Sequence, residues 1–274
     1  MKDFKVTIEA GRSEKQYWKD LWQFRDLFYI LAWRDIAVRY KQTVIGILWA
    51  VIQPLLTMVI FVVIFGKVAQ LPSEGVPYPI FVFAAMLPWQ FFATAFNSAT
   101  NSMVGNASLI TKVYFPRLII PASSIGVAFI DFLVTLGILT VFMAWYQYIP
   151  DWKIFFIITL SLLIFMFTFG IGLFFSALNI KFRDFRYTIP FIIRFGLYVS
   201  PVGFSSTIIP EKYKMLFYMN PMAFIIDAFR WVISAGKTTL YIEGMYVSLG
   251  VILFFLFVGV RYFRKTERVF ADVV

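Results

Sequence analysis

Arg34-Asp35-Ile36-Ala37-Val38-Arg39-Tyr40-Lys41-Gln42-Thr43-Val44-Ile45-Gly46-Ile47-Leu48-Trp49-Ala50-Val51-Ile52-Gln53-Pro54 is the stretch whose reading decides the fold. A charged, amphipathic segment runs without a break into a long apolar one. No charged residue occurs between Val44 and Gly66. At about 1.5 Å per residue such a helix reaches roughly 34 Å, enough for a bilayer core of about 30 Å. The chain is therefore expected to approach the membrane along an interfacial helix and then enter it.

Composition agrees. Hydrophobic residues make up 61% of the chain and charged residues only 15%, against about a quarter charged in soluble domains. Long continuous apolar runs, rather than short alternating ones, predict helices and not a barrel. The first apolar run begins only at Val44, so a cleavable secretory signal is not expected. Cysteine and histidine are both absent, which removes disulfides, thiol nucleophiles, imidazole bases and zinc sites from consideration.

Apolar runs at about 44–66, 79–104, 118–146, 154–178, 188–204 and 245–263 predict an all-α membrane protein with six transmembrane helices. Residues 1–43 are read as a cytosolic N-terminal segment with an amphipathic interface helix, and 44–274 as the membrane domain. Six spans put both termini on one side, and 18 basic residues then sort to that side against five (Lys67, Lys153, Lys212, Lys214, Lys237) on the other. The positive-inside rule makes the richer side cytoplasmic. The net charge of +10 is thereby explained by topology and anionic lipid, with no nucleic-acid partner.

After the fifth run, Ser200-Pro201-Val202-Gly203 breaks the helix, and the short run Pro221–Ala235 has only 15 residues. Two half-length pieces predict a re-entrant helix pair within about 205–240; two tilted complete helices are the alternative. Four ionisable residues lie in apolar surroundings: Asp131, Arg194, Asp227 and Arg230. Asp131 needs a cation, a polar neighbour or a proton. Arg194, six residues after Thr188, can snorkel toward the cytosolic surface. Asp227 and Arg230 are three apart and can pair on one helix face.

Phe24, Leu27, Phe28 and Leu31 follow helical spacing near Trp18, Trp22 and Trp33. Such a helix either anchors the chain at the membrane surface or also docks a cytosolic partner through Arg34, Asp35, Arg39 and Lys41. The compact stretch from Gly105 to Pro116 holds a short helix capped by Asn106. Trp49, Trp89, Phe91, Phe92 and Phe96 lie inside apolar runs, where they face lipid or line a path for flat-faced cargo such as sugar rings. Gly236-Lys237-Thr238-Thr239 resembles the end of a phosphate-binding P-loop, but Trp231 stands where its first glycine belongs. No ATPase site is expected in this chain. A membrane-embedded glycosyl- or acyltransferase is a remote alternative, since there is no histidine and Glu74, Asp151, Glu211 and Glu243 are scattered.

Four stretches in order carry a resemblance. Arg34-Asp35 with Arg39–Thr43, Gly46, Trp49 and Gln53-Pro54 resembles the first motif of ABC-2 type permeases that export bacterial surface polysaccharides. Lys112-Val113-Tyr114-Phe115-Pro116-Arg117 with Pro121, Asn179-Ile180-Lys181-Phe182-Arg183-Asp184, and Tyr218-Met219-Asn220-Pro221-Met222 with Arg230 are similar to the family's later motifs. The resemblance covers nearly the whole chain. It implies a permease subunit in the cytoplasmic (inner) membrane, working as two copies with two copies of a nucleotide-binding ATPase that binds ATP and magnesium. Docking would use Arg34, Asp35, Arg39, Lys41, Asn106, Lys112 and Arg117. The implied cargo is undecaprenyl-linked polysaccharide of O-antigen type, with teichoic acid, capsule, lipid or drug as alternatives.

Overall fold

The computed structural model describes residues 14–41, 47–149, 151–182, 184–267 and 270. Every regular element among them is helical. Two helices, α1 (Glu14–Gln23) and α2 (Arg25–Lys41), meet at a one-residue break at Phe24, whose N–H still reaches the Asp20 carbonyl. Next comes α3 (Ile47–Phe61), which widens into a π-helical stretch, Val62–Val68, without interrupting the apolar run. The long helix α4 (Tyr78–Gly105) begins in a Pro-rich turn that suits a helix's first residues, where no N–H partner is required. It leads into short α5 (Ala107–Lys112) and then α6 (Ile119–Trp145).

A 3₁₀ turn at Trp152–Phe155 opens α7 (Phe156–Lys181), followed by α8 (Phe185–Val199). The remaining helices are α9 (Glu211–Phe217), α10 (Pro221–Ile233) and α11 (Ile242–Thr266). The start of α10 is legible in three letters. Asn220 accepts from the Met222 N–H at 3.1 Å while Pro221 occupies the first helical position.

Among the described residues, five helical stretches are long and apolar enough to cross a membrane: Leu48–Val68, Tyr78–Gly105, Ile119–Trp145, Trp152–Lys181 and Ile242–Thr266. The pair α9 and α10 is bent by 105° and adds a sixth only if counted as one broken span. The expected fifth span at 188–204 is shifted. Its helix runs Phe185–Val199, about 22 Å; the Ser200 N–H still bonds back to the Gly196 carbonyl, and residues 201–205 continue as irregular backbone. The break at Ser200-Pro201 therefore falls where expected, but it ends the helix earlier. The bend between α9 and α10 agrees with the re-entrant reading. The single interfacial helix resolves into α1 and α2, and the start of the first span at 44–46 lies outside the described residues.

The centre of the bundle is α4, with 78% of its most apolar window buried, against 11% for the first span. Around it pack α6, α7 and α10, forming one large apolar core. A second cluster, at the end carrying α2, α5 and Phe270, gathers Leu31, Met103, Ile110, Phe115, Leu118 and Phe263. That end is called the near end below, and the end carrying the 69–77 and 200–220 loops the far end.

Helix α11 lies against α7 at near backbone contact. A Cβ at Gly170 would stand 2.5 Å from the Leu256 nitrogen, and one at Gly259 would overlap the Gly170 carbonyl. Small residues allow this approach where lipid offers no hydrophobic drive for helix association. Gly259→Ala is expected to force the pair apart and lower the unfolding midpoint in detergent, at a cost of about 1–3 kcal/mol. Gly250→Ala, on the same helix but facing open space, is expected to leave that midpoint unchanged.

Candidate functional site

Two polar constellations stand out, one at each end of the bundle. At the near end, α2 climbs along α6. Ala32 lies against Gly126. Seven residues later Arg39 reaches Asp131 with an N···O distance of 2.6 Å, and the Tyr40 hydroxyl donates to the same carboxylate. Asp131 thus finds its cation on the very helix whose charges were expected to face a cytosolic partner. Arg39 belongs to this ion pair within the chain, with its side chain still 43% exposed, and α2 runs along α6. The sequence signal for the pair was its cost, since an acid at that depth requires a partner.

Arg34 forks onto Asp35 at 2.7 and 2.9 Å and donates to the Asn106 side chain at 2.9 Å, clamping α2 to the α4–α5 corner. Asn106 itself donates to the Ser102 carbonyl and makes no side-chain cap for α5. Arg117 donates to the Glu267 carbonyl and covers the Phe270 ring. Tyr17 donates to the Glu267 carboxylate at 3.0 Å, and Arg264 lies over its ring. Burial and the Glu267 charge hold that phenol protonated far above its ordinary range. The near end is therefore a collar binding α1, α2, the 105–118 loop and the end of α11. Its outward side presents Ser108, Thr111 and Lys112. The Lys41 side chain, Gly46 and Arg183 lie outside the described residues.

At the far end, Arg230 is buried at 2% exposure and uses its fork fully. It donates to the carbonyls of Phe81 (3.2 Å), Phe204 (2.8 Å) and Val202 (2.9 Å), and lies 3.9 Å from Asp227. Its guanidinium also sits 3.6 Å above the Phe81 ring. The intervening carbonyl, Gly203, accepts from the Tyr78 hydroxyl at 3.0 Å. Three successive carbonyls of an irregular segment are thus supplied with donors by side chains. Asp227 accepts from Tyr218 at 2.8 Å, and Glu74 accepts from Ser205 and from the Thr239 N–H. The i,i+3 spacing announced Asp227 and Arg230; Tyr78, Tyr218 and Glu74 had no sequence signal of comparable strength.

The aromatics divide. Trp89, Phe91, Phe92 and Phe96 are buried inside the bundle, where Phe92 stacks on Phe96 and Phe167 at 5.5 and 5.3 Å. In this arrangement they are core side chains with no open face. Trp49 alone of the five is exposed, at 54%. Arg194 is also exposed, on α8.

The sequence matches the ABC-2 type transporter family over residues 26–234. Two relatives named O-antigen export system permease protein RfbA, from Klebsiella pneumoniae, are 33% and 34% identical. Each alignment covers 91% of this chain and 95% of the relative. The polysialic acid transport protein KpsM of Escherichia coli is 24% identical over 86% of this chain and 91% of its own length.

Arg230→Met is expected to strand a carboxylate and three carbonyls, costing about 3–5 kcal/mol in detergent unfolding. Arg230→Lys should recover little of this, because an ammonium cannot fork across three acceptors. For Arg39→Gln and Asp131→Asn, each single change is expected to cost about 1–3 kcal/mol, between the exposed and buried limits. The double change should cost clearly less than their sum in a double-mutant cycle.

Proposed function

The chain belongs to the ABC-2 type transporter family, and on that premise we propose that it is the permease subunit of an ATP-driven exporter of lipid-linked polysaccharide in the bacterial inner membrane. The observation that carries the reading is similarity along 91% of the chain to permeases named for O-antigen export. Relatives named for polysialic acid transport and for capsule polysaccharide export match at lower identity, 24% and 25%, so O-antigen-type cargo is favoured over these. Membrane-embedded transferase chemistry finds no support in the scattered acids.

The near end faces the cytosol in this proposal, because its loops and tails hold most of the basic residues. Two copies of the chain and two of a separate ATPase would form the working unit, with nucleotide and magnesium bound by the ATPase. The docking surface is the outward side of the collar, with Lys112 at its centre and Arg34 and Asn106 as the clamp beneath. Arg39 and Arg117 serve it indirectly. Their bonds to Asp131 and the Glu267 carbonyl transmit a push on the collar into α6 and α11. Trp49, exposed on α3, is the aromatic retained as a contact for sugar faces.

Deletion of the gene in its native host is expected to abolish surface polysaccharide and leave lipid-linked glycan inside the cell, read by gel and glycan staining. Normal surface polysaccharide would overturn the proposal. Lys112→Glu is expected to reduce co-purification of the ATPase at least several-fold while the permease remains inserted.

A further inference from the structure

Of the four ionisable residues in apolar surroundings, Asp131, Asp227 and Arg230 are paired within the chain. Arg194 is not. It makes no hydrogen bond or ion pair with any described residue and stands exposed on α8. The helix begins at Phe185 beside the near end, so Arg194 lies nine residues in, about 13 Å along its axis. Helical side chains cover the turn before their own Cα, about 5 Å back. Snorkelling toward the start of α8 therefore leaves the guanidinium more than a turn along the helix from Phe185, and an unpaired charge in apolar surroundings is costly.

The surroundings of Arg194 are chemically specific. Tyr187, Phe191, Phe195 and Tyr198 recur at helical spacing on the same face and are 61–81% exposed. Phe191 and Phe195 stack in parallel at 6.2 Å. The opposite face of α8 is committed to the bundle: Ile189 is fully buried, and a Cβ at Gly196 would stand 2.8 Å from the Trp89 ring. The result is one guanidinium set within a continuous strip of rings, held by a rigid backing.

We propose that this face of α8 binds the phosphate group joining a glycan to its polyprenyl carrier, with Arg194 on the phosphate and the flanking rings on the adjoining sugar. The assignment rests on the export reading above and names the chemistry of its cargo site. Three arguments select the occupant. Arg forks onto phosphate oxygens with two parallel bonds. The acids placed inside the helices, Asp131 and Asp227, are already engaged, so a second copy of the chain brings no free carboxylate to this depth. Bulk phosphatidylglycerol or phosphatidylethanolamine offers a phosphate but no sugar ring to set against the flanking aromatics.

The test uses the full permease–ATPase complex in phosphatidylcholine nanodiscs, with undecaprenyl diphosphate as the probe and native mass spectrometry as the readout. Arg194→Gln is expected to weaken binding at least tenfold, and Arg194→Lys to restore part of it. Equal binding by wild type and Arg194→Gln overturns the site. Displacement of the probe by equimolar phosphatidylglycerol also overturns it, assigning the face to ordinary anionic lipid. A photoreactive diphosphate analogue should label residues 185–199 of the unmutated complex; labelling confined to other helices is a third refutation, independent of any variant's folding. Surface polysaccharide in cells separates the two readings. Export that persists in Arg194→Gln cells but is lost on gene deletion rejects the site and leaves the function standing.

Discussion

A backbone that leaves helical geometry inside a packed bundle must find its hydrogen bonds somewhere other than water, and Arg230 is where this chain finds them. Residues 202–204 carry three carbonyls outside any helix, and the Arg230 fork with the Tyr78 hydroxyl supplies all of them. The same guanidinium ties α10 to the first turns of α4 through the Phe81 carbonyl. The fork thus holds the segment that follows the end of α8 at Val199 against α10, the second arm of the 105° bend. Asp227 and Tyr218 complete the arrangement by giving the buried cation a counter-charge that is itself hydrogen-bonded.

The Arg39–Asp131 pair answers the same constraint at the opposite end. A carboxylate midway along α6 draws a cation from α2, and the pair sets how far α2 enters the bundle. With Arg34 on Asn106 and Arg117 on the Glu267 carbonyl, charge-assisted hydrogen bonds make one collar from segments far apart in the chain. A force applied there would pass to α6 and α11 through these bonds. This physical property is what the proposed motor contact requires.

Aromatic content had two meanings that composition could not separate. On α4 the rings interlock with those of α6 and α7 and fill the core. On α8 they line up on a face that is 61–81% exposed. The difference is one of helix position: α4 is surrounded, whereas α8 leans on its neighbours through one side. Periodicity finds a stripe of rings, but only the neighbours decide whether it is filled space or open surface.

The membrane class, the approximate spans, the break at Ser200-Pro201 and the need for partners at Asp131, Asp227 and Arg230 were all legible in the sequence. These follow from local quantities: run length, hydropathy, proline chemistry and the cost of charge in lipid. The identity of the partners was not legible, because Arg39 and Asp131 are 92 residues apart, as are other pairs brought together only by helix packing. Nor was the division of the aromatics, which depends on which helix ends up central. The four family motifs, by contrast, could be read directly, since each resides in a short contiguous stretch. Tertiary structure decided that Arg39 pairs with Asp131, that Trp89, Phe91, Phe92 and Phe96 are core, and that Arg194 is left facing outward. The physical reason is common to all three: a charge or a ring in lipid is defined by what stands opposite it, and that is a property of the packed bundle rather than of any single helix.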